Sequence, residues 1–304
     1  MKLILANNQS EQFRTFYAAT AAQSAVPFDY DAYENMLFLF DTDASPAVQV
    51  QSVDTGRALG EYDGVYLNGY LSTYELAVTM ATCCQALDVP FVNHELADAP
   101  SLSKLSAHAK LARAGVRTPR TIAGAKSALV RAAGQLESMK FPAVLKRADA
   151  DRGIDNFKVQ NAAEALELLQ PHDARSLWIL QEFVPNDGFY LVSFYGQKPV
   201  FSIFRSLGLR PDGNEQKAHM YKPKGGANAR QLQISEVPAV VVDAAQRAID
   251  AMNRQIGSVD CLYDPASDKA YVLEVNYNPQ LVTIETFKEV RIQAFLDGIQ
   301  KIRA

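Results

Sequence analysis

Tyr271-Val-Leu-Glu274-Val-Asn276-Tyr-Asn278-Pro279 alternates apolar and polar residues with the two-residue period of a β-strand. Upstream, Gly257-Ser-Val-Asp260 opens a second strand-like segment, residues 258–263, and the turn Asp264-Pro265-Ala266-Ser267-Asp268 joins it to the first. Glu274 and Asn276 are two apart and share a strand face. Asp260 lies on the neighbouring segment, so two carboxylates and an amide are expected together. An oxygen-only set of this kind suits a hard divalent cation such as Mg²⁺, which keeps waters and phosphate oxygens in its shell. A solvated strand face is the bland alternative. Against it, both polar residues interrupt the apolar strand Val272-Leu273-x-Val275.

Working outward, residues 235–255 and 285–302 read as helices, and residues 177–181, 189–195 and 199–205 as strands. The polar stretch 206–230, rich in Gly, Lys and Asn, reads as a long loop with at most one strand. Phe141-Pro-Ala-Val-Leu-Lys146 ends an apolar strand on a cation, and a turn, Arg147-Ala-Asp-Ala-Asp151-Arg152-Gly153, follows it. Backbone N–H groups in such a turn can line a polyphosphate. Residues 156–160 read as another strand and 162–169 as a helix. Trp178-Ile-Leu-Gln181-Glu182-Phe183-Val184-Pro185 is a strand entering a linker, able to offer an apolar slot and backbone hydrogen bonds to a flat ring.

Residues 103–140 look mostly helical, with breaks at Gly115 and Pro119. Before them, apolar runs at 3–5, 36–40 and 64–67 read as buried strands between helices at 10–25 and 72–87. Ser72 and Glu75 have capping-box spacing. Strands alternating with helices predict a parallel α/β unit. No glycine-rich dinucleotide fingerprint is present there.

The 304 residues, 48% hydrophobic and 21% charged with net charge −4, describe a globular protein with no global attraction to nucleic acid. No apolar stretch is long enough for a membrane-spanning helix. MKLILANNQ turns polar too soon for a signal peptide and reads as a first strand. Cys83, Cys84 and Cys261 read as buried thiols. A cytoplasmic location is the expectation. His94, His108, His172 and His219 show no ligand spacing and read as mostly solvent-facing.

Taken in order over residues 100–300, these stretches resemble the ATP-grasp superfamily, in particular its glutamate-ligase and glutathione-synthetase-like branch. Leu102-Ser103-Lys104, followed by Gly115-x-x-x-Pro119-x-Thr121, is similar to the lysine, helix and strand entry of that family. Lys146 resembles its second ATP lysine, and Gln181 to Val184 its adenine hinge. Arg205, closing Phe201-Ser-Ile-Phe-Arg205, resembles the arginine that faces the transferred phosphoryl group. Asp260, Glu274 and Asn276 match the metal-binding strands.

The resemblance implies an α/β (α+β) ATP-grasp fold with an N-terminal parallel α/β pre-ATP-grasp domain at 1–97. A central subdomain at 98–184 would carry the flap, and a C-terminal subdomain at 185–304 the metal site. It implies ATP with Mg²⁺, or Mn²⁺ in its place. ATP would meet Lys104, Lys146, the flap residues Asp151, Arg152 and Gly153, the hinge residues Gln181, Glu182, Phe183 and Val184, and Asp187 at the ribose. A substrate carboxylate would attack the γ-phosphorus, and an amine would attack the resulting acyl phosphate. The acceptor would border His219, Lys222, Lys224, Gly225 and Asn278. A solvated basic loop is the alternative for residues 217–226.

Small-molecule or peptide carboxylates and amines are the implied partners, and a homo-oligomer is compatible with the sequence. Two features depart from the pattern. The flap is poor in glycine and serine, and Phe189-Tyr190-Leu191 stands where relatives carry Asp-x-Arg. An ATP-grasp phosphotransferase and a non-catalytic ATP-binding protein are the rival readings.

Overall fold

The computed structural model describes residues 1–6, 10–41, 43–68, 73–98, 103–148, 155–196, 198–206, 229–277 and 287–300. Strands β1 (Lys2–Ala6), β2 (Phe28–Ala32), β5 (Gly64–Leu67) and β6 (Phe91–Val92) form a parallel sheet in the order β2-β1-β5-β6. Helices α1 (Glu11–Gln23) and α2 (Tyr74–Ala86) alternate with these strands. The four residues of β5 and the five of β1 are all buried, as strands covered on both faces must be. Cys83 and Cys84 of α2 are buried free thiols in this core, and Cys261 is buried elsewhere.

The run Met36–Phe40 does form a strand, β3, but not a buried one. It pairs only with β4 (Val48–Ser52) in a separate hairpin. Leu37, Leu39 and Phe40 are 60%, 54% and 62% exposed. Hydrophobicity sets a strand's preference for cover, but among the described residues the Leu37 and Leu39 face is left largely uncovered.

A second sheet has the order β7-β10-β8-β9, all antiparallel, from β7 (Thr121–Ala125), β8 (Ala143–Arg147), β9 (Asn156–Val159) and β10 (Leu177–Glu182). Helix α3 (Lys104–Arg113) precedes it. Helix α3 closes in a Schellman arrangement, Val116 N–H donating to Leu111 C=O and Gly115 to Ala112, with Gly115 at φ +64°. The expectation of mostly helix over 103–140 therefore needs correction at Thr121–Ala125. The alanines favour helix, but pairing along the full edge of β10 makes this segment a strand. Helices α4 (Lys126–Arg131), α5 (Ala133–Leu136) and α6 (Ala162–Leu169) follow, and Leu129, Leu136 and Leu169 cover one face of the sheet around the buried Trp178.

The third sheet has the order β13-β12-β11-β14-β15, from β11 (Gly188–Tyr195), β12 (Pro199–Ser206), β13 (Ala229–Leu232), β14 (Ile256–Asp264) and β15 (Lys269–Asn276). Helix α7 (Ala239–Ala251) covers one face. It is shorter than the expected 235–255 because Pro238 holds its start and Asn253 adopts φ +51° beyond its end. Helix α8 (Lys288–Gln300) packs Phe295 and Ile299 against the opposite face and the N-terminal sheet. Among the described residues no helix is long and apolar enough to cross a membrane.

Candidate active site

The second sheet carries helices on one face and the polar pair Lys146 and Gln181 on the other, while on the third sheet the face away from α7 is shared between α8 and a group of polar side chains. In β8 and β10, Leu145 and Leu180 point to the helices. Lys146 and Gln181 therefore take the opposite face, as diagonal neighbours across the two strands. Lys146 Nζ donates to Gln181 Oε1 at 2.9 Å. On the third sheet, Val259, Cys261, Val272 and Val275 pack toward α7. Asp260 stands directly across from Glu274, and Ser258 from Asn276, on the other face. A register shift between Asp260 and Cys261 skips Leu273, and pairing resumes with Cys261 opposite Val272. Gly257 permits the close fit, since a Cβ at this position would lie 2.5 Å from the Asn276 carbonyl oxygen.

Electrostatics tie the two polar faces together. Burial pushes the Lys146 ammonium down to about 8, opposed by Glu274 and reinforced by Lys104. Lys146 thus lies within the field of a residue on the other sheet and of the first residue of α3. Burial, and next the like charge of Glu274, raise the Asp260 carboxyl to about 7, with Arg205 pulling the other way. Asp260 Oδ1 is buried and makes no hydrogen bond, and Arg205 Nε is in the same condition. The Arg205 guanidinium lies 6.0 Å from the Phe189 ring.

The donor set available to a cation is two facing carboxylates and the Asn276 amide. Among the described residues no three His, Cys, Asp or Glu side chains cluster. The orphaned Asp260 oxygen beside Glu274 fits a hard divalent ion, which would relieve the repulsion between the carboxylates.

The hinge residues divide. Gln181 is almost wholly buried, and its amide also donates to Thr121 Oγ1 at 3.0 Å. The Glu182 side chain turns outward to Lys140 at 3.5 Å. The Phe183 ring lies 4.1 Å from the Lys158 ammonium, and Val184 is buried. The N–H groups of Glu182 and Phe183 already donate to Arg120 and Pro142 carbonyls. Asp187 is exposed in the turn before β11, with its charge felt at Tyr190. Asp151, Arg152, Gly153, His219, Lys222, Lys224, Gly225 and Asn278 lie outside the described residues.

Sequence reasoning missed three groups. His108 is buried, contrary to the solvent-facing expectation, and its Nε2 lies 3.5 Å from Gln181 Nε2. Its spacing of four from Lys104 on one helix was the available signal. Arg291 of α8 is buried, and burial lowers its guanidinium, with Tyr195 opposing and Arg205 reinforcing. Glu95 and Arg254 form a buried ion pair with Nη2–Oε1 at 2.6 Å and Nε–Oε1 at 2.7 Å. Arg254 Nη1 also donates to the carbonyl of Val275, between Glu274 and Asn276, at 3.0 Å. No local pattern marks either of the last two.

No protein-family model matches the chain. No curated protein matches it either. Solved structures do. D-alanine–D-alanine ligase from Bacillus anthracis is 15% identical with a TM-score of 0.63, over 99% of this chain and 97% of that one. The ATP-grasp ligase PsnB, solved with a minimal precursor, Mg and ADP, is 14% identical with a TM-score of 0.65, over 98% and 96%. A RimK-domain ATP-grasp protein from Sphaerobacter thermophilus is 13% identical with a TM-score of 0.60, over 99% and 100%. The chain has the ATP-grasp fold.

Proposed function

We propose that the chain is an ATP-dependent carboxylate–amine ligase, working through an acyl phosphate on an amino acid or peptide. The observation that carries this reading is the Asp260–Glu274 pair with its unsatisfied buried oxygen, set in the field of Lys146 and Arg205. Phosphoryl transfer needs positioning and charge stabilisation more than covalent help from the protein. The cations and oxygen donors gathered here are of that kind. That a D-alanine ligase and a precursor-bound peptide ligase share the fold adds support for an amino-acid or peptide substrate.

Asp260, Glu274 and Asn276 would hold Mg²⁺. When bound, the ion would supply positive charge against the phosphates. Lys104 and Lys146 draw the polyphosphate between the two sheets. Val184 and the Phe183 backbone line the slot for the base, while Gln181 holds Lys146 from behind. Arg205 faces the phosphoryl group in transit, and its Nε–H is a donor in want of an acceptor. Its guanidinium then offsets charge on the acyl phosphate as the amine attacks carbon, the acyl C–O bond breaks, inorganic phosphate leaves and the amine gives up a proton to solvent or phosphate. The division 1–97, 98–184 and 185–304 places the nucleotide between the second and third parts.

The test is a screen of amino acids and short peptides with Mg-ATP, reading ADP release and product mass together. ADP with a condensed product supports the ligase. A phosphorylated product without condensation would replace it with a phosphotransferase. Tight ATP binding with no turnover on any acceptor would replace it with a nucleotide-binding protein.

A further inference from the structure

The hydrogen bonds around Gln181 run in one direction. Lys146 Nζ can only donate, so the amide oxygen must face it, as the 2.9 Å contact has it. The amide nitrogen, with two hydrogens, then faces Thr121 and His108. Thr121 Oγ1 donates its own hydrogen to the Pro119 carbonyl at 2.8 Å and is left to accept from Gln181 at 3.0 Å. The second amide hydrogen points toward His108 Nε2 at 3.5 Å, at the long limit of a hydrogen bond. That nitrogen can accept only if it carries no proton. His108 must then be neutral with its proton on Nδ1, which is a buried atom making no hydrogen bond. A proton on Nε2 would compete with Lys146 for the amide oxygen and favour turning the amide over, setting its NH₂ against the ammonium.

We propose that His108 is a positioning residue for the nucleotide: as the Nδ1–H tautomer it accepts from Gln181 at Nε2, and so keeps the Gln181 oxygen on Lys146 and the ammonium aimed between the sheets. His108 acts through Gln181, the side chain its Nε2 faces. The proposal rests on the nucleotide-binding part of the function proposed above. Burial and the nearby Lys146 charge both disfavour a protonated ring here, which is the state the network needs.

Two variants separate this role from packing. His108→Leu keeps an apolar filling and removes the acceptor. His108→Gln restores an acceptor near the Nε2 position. Calorimetry of Mg-ATP binding is expected to give about tenfold weaker affinity for His108→Leu, equivalent to about 1.4 kcal/mol. His108→Gln is expected within about twofold of wild type, the two together being what a single recovered hydrogen bond predicts. Equal affinity of His108→Leu and wild type would overturn the proposal and leave the ATP site standing. So would His108→Gln binding as weakly as His108→Leu. No ATP binding by the wild type would overturn both. Nitrogen NMR of the ligand-free wild type gives a reading free of any folding defect in the variants. A protonated Nδ1 with a bare Nε2 is expected, and the opposite tautomer refutes the assignment.

Discussion

Two buried charge clusters lie along the same pair of strands, and they are built to opposite ends. Arg254, just before β14, meets Glu95, just after β6, through two guanidinium nitrogens and uses a third on the Val275 carbonyl. Its guanidinium also lies 5.7 Å from the Tyr277 ring. Beside it, Gln255 Oε1 accepts from the N–H groups of Asn93 and His94. Five residues further on, Asp260 faces a second carboxylate, and both Asp260 Oδ1 and Arg205 Nε are buried without hydrogen bonds. The first cluster is closed in charge, opposite charges answering each other over 159 residues of chain, though Glu95 Oε2 is a buried oxygen without a hydrogen bond. The second is open, with like charges paired and donors and acceptors unanswered. A buried group left unsatisfied is destabilising in the ligand-free protein, and the acceptor on Asp260 and the donor on Arg205 are groups that a cation and an anion would complete. The closed cluster holds the strand on which the open one sits.

The contrast is broken most severely at its open end. Glu274→Ala removes a carboxylate from the expected metal set and should lower turnover by at least about a thousandfold, on the order of 4 kcal/mol of barrier. Its circular dichroism and melting temperature should stay near wild type. Mg²⁺-dependent activity surviving in this variant would remove the metal assignment. At the closed end the expectation reverses. Glu95→Ala strands the Arg254 guanidinium and should lower unfolding free energy by about 3–5 kcal/mol in urea titration. A loss below about 1 kcal/mol would show that the pair contributes little to holding β14 in place.

A smaller effect concerns His108, whose ring is brought down to about 4 by burial first and the Lys146 charge second. The unfolded chain takes up the proton near pH 6.5 and the folded one only near 4. Stability is therefore full above about pH 6.5 and lost as pH falls toward 4, by on the order of 3 kcal/mol. Unfolding curves for wild type and His108→Leu should converge over that window. Parallel curves would mean the ring titrates alike in both states. The smallest effect sharpens the contrast from the stability side. Asp260→Asn relieves the repulsion with Glu274 and should leave ligand-free stability within about 1 kcal/mol of wild type, or raise it. A large loss would make Asp260 a structural carboxylate like Glu95.

Much of the architecture is legible in local pattern. The helix over 162–169 and the strands around 143–146, 177–181, 199–205 and 270–275 follow from period and punctuation. Where local preference and tertiary pairing disagree, pairing prevails. Thr121–Ala125 becomes a strand because β10 offers a complete row of partners, and that places Thr121 opposite Gln181.

The sequence by itself determined that Asp260, Glu274 and Asn276 come from adjoining strands, because a two-residue period dictates which side chains share a face. It also determined that Lys146 ends an apolar strand. Only the tertiary structure decided that Lys146 lies in the field of Glu274, that His108 is buried against Gln181, and that Leu37 and Leu39 of an apolar strand stay exposed. Only it joined Glu95 to Arg254, 159 residues apart. Periodicity is a property of neighbours along the chain. Burial, field and ion pairing depend on which surfaces the packed sheets bring together, and no local pattern encodes that.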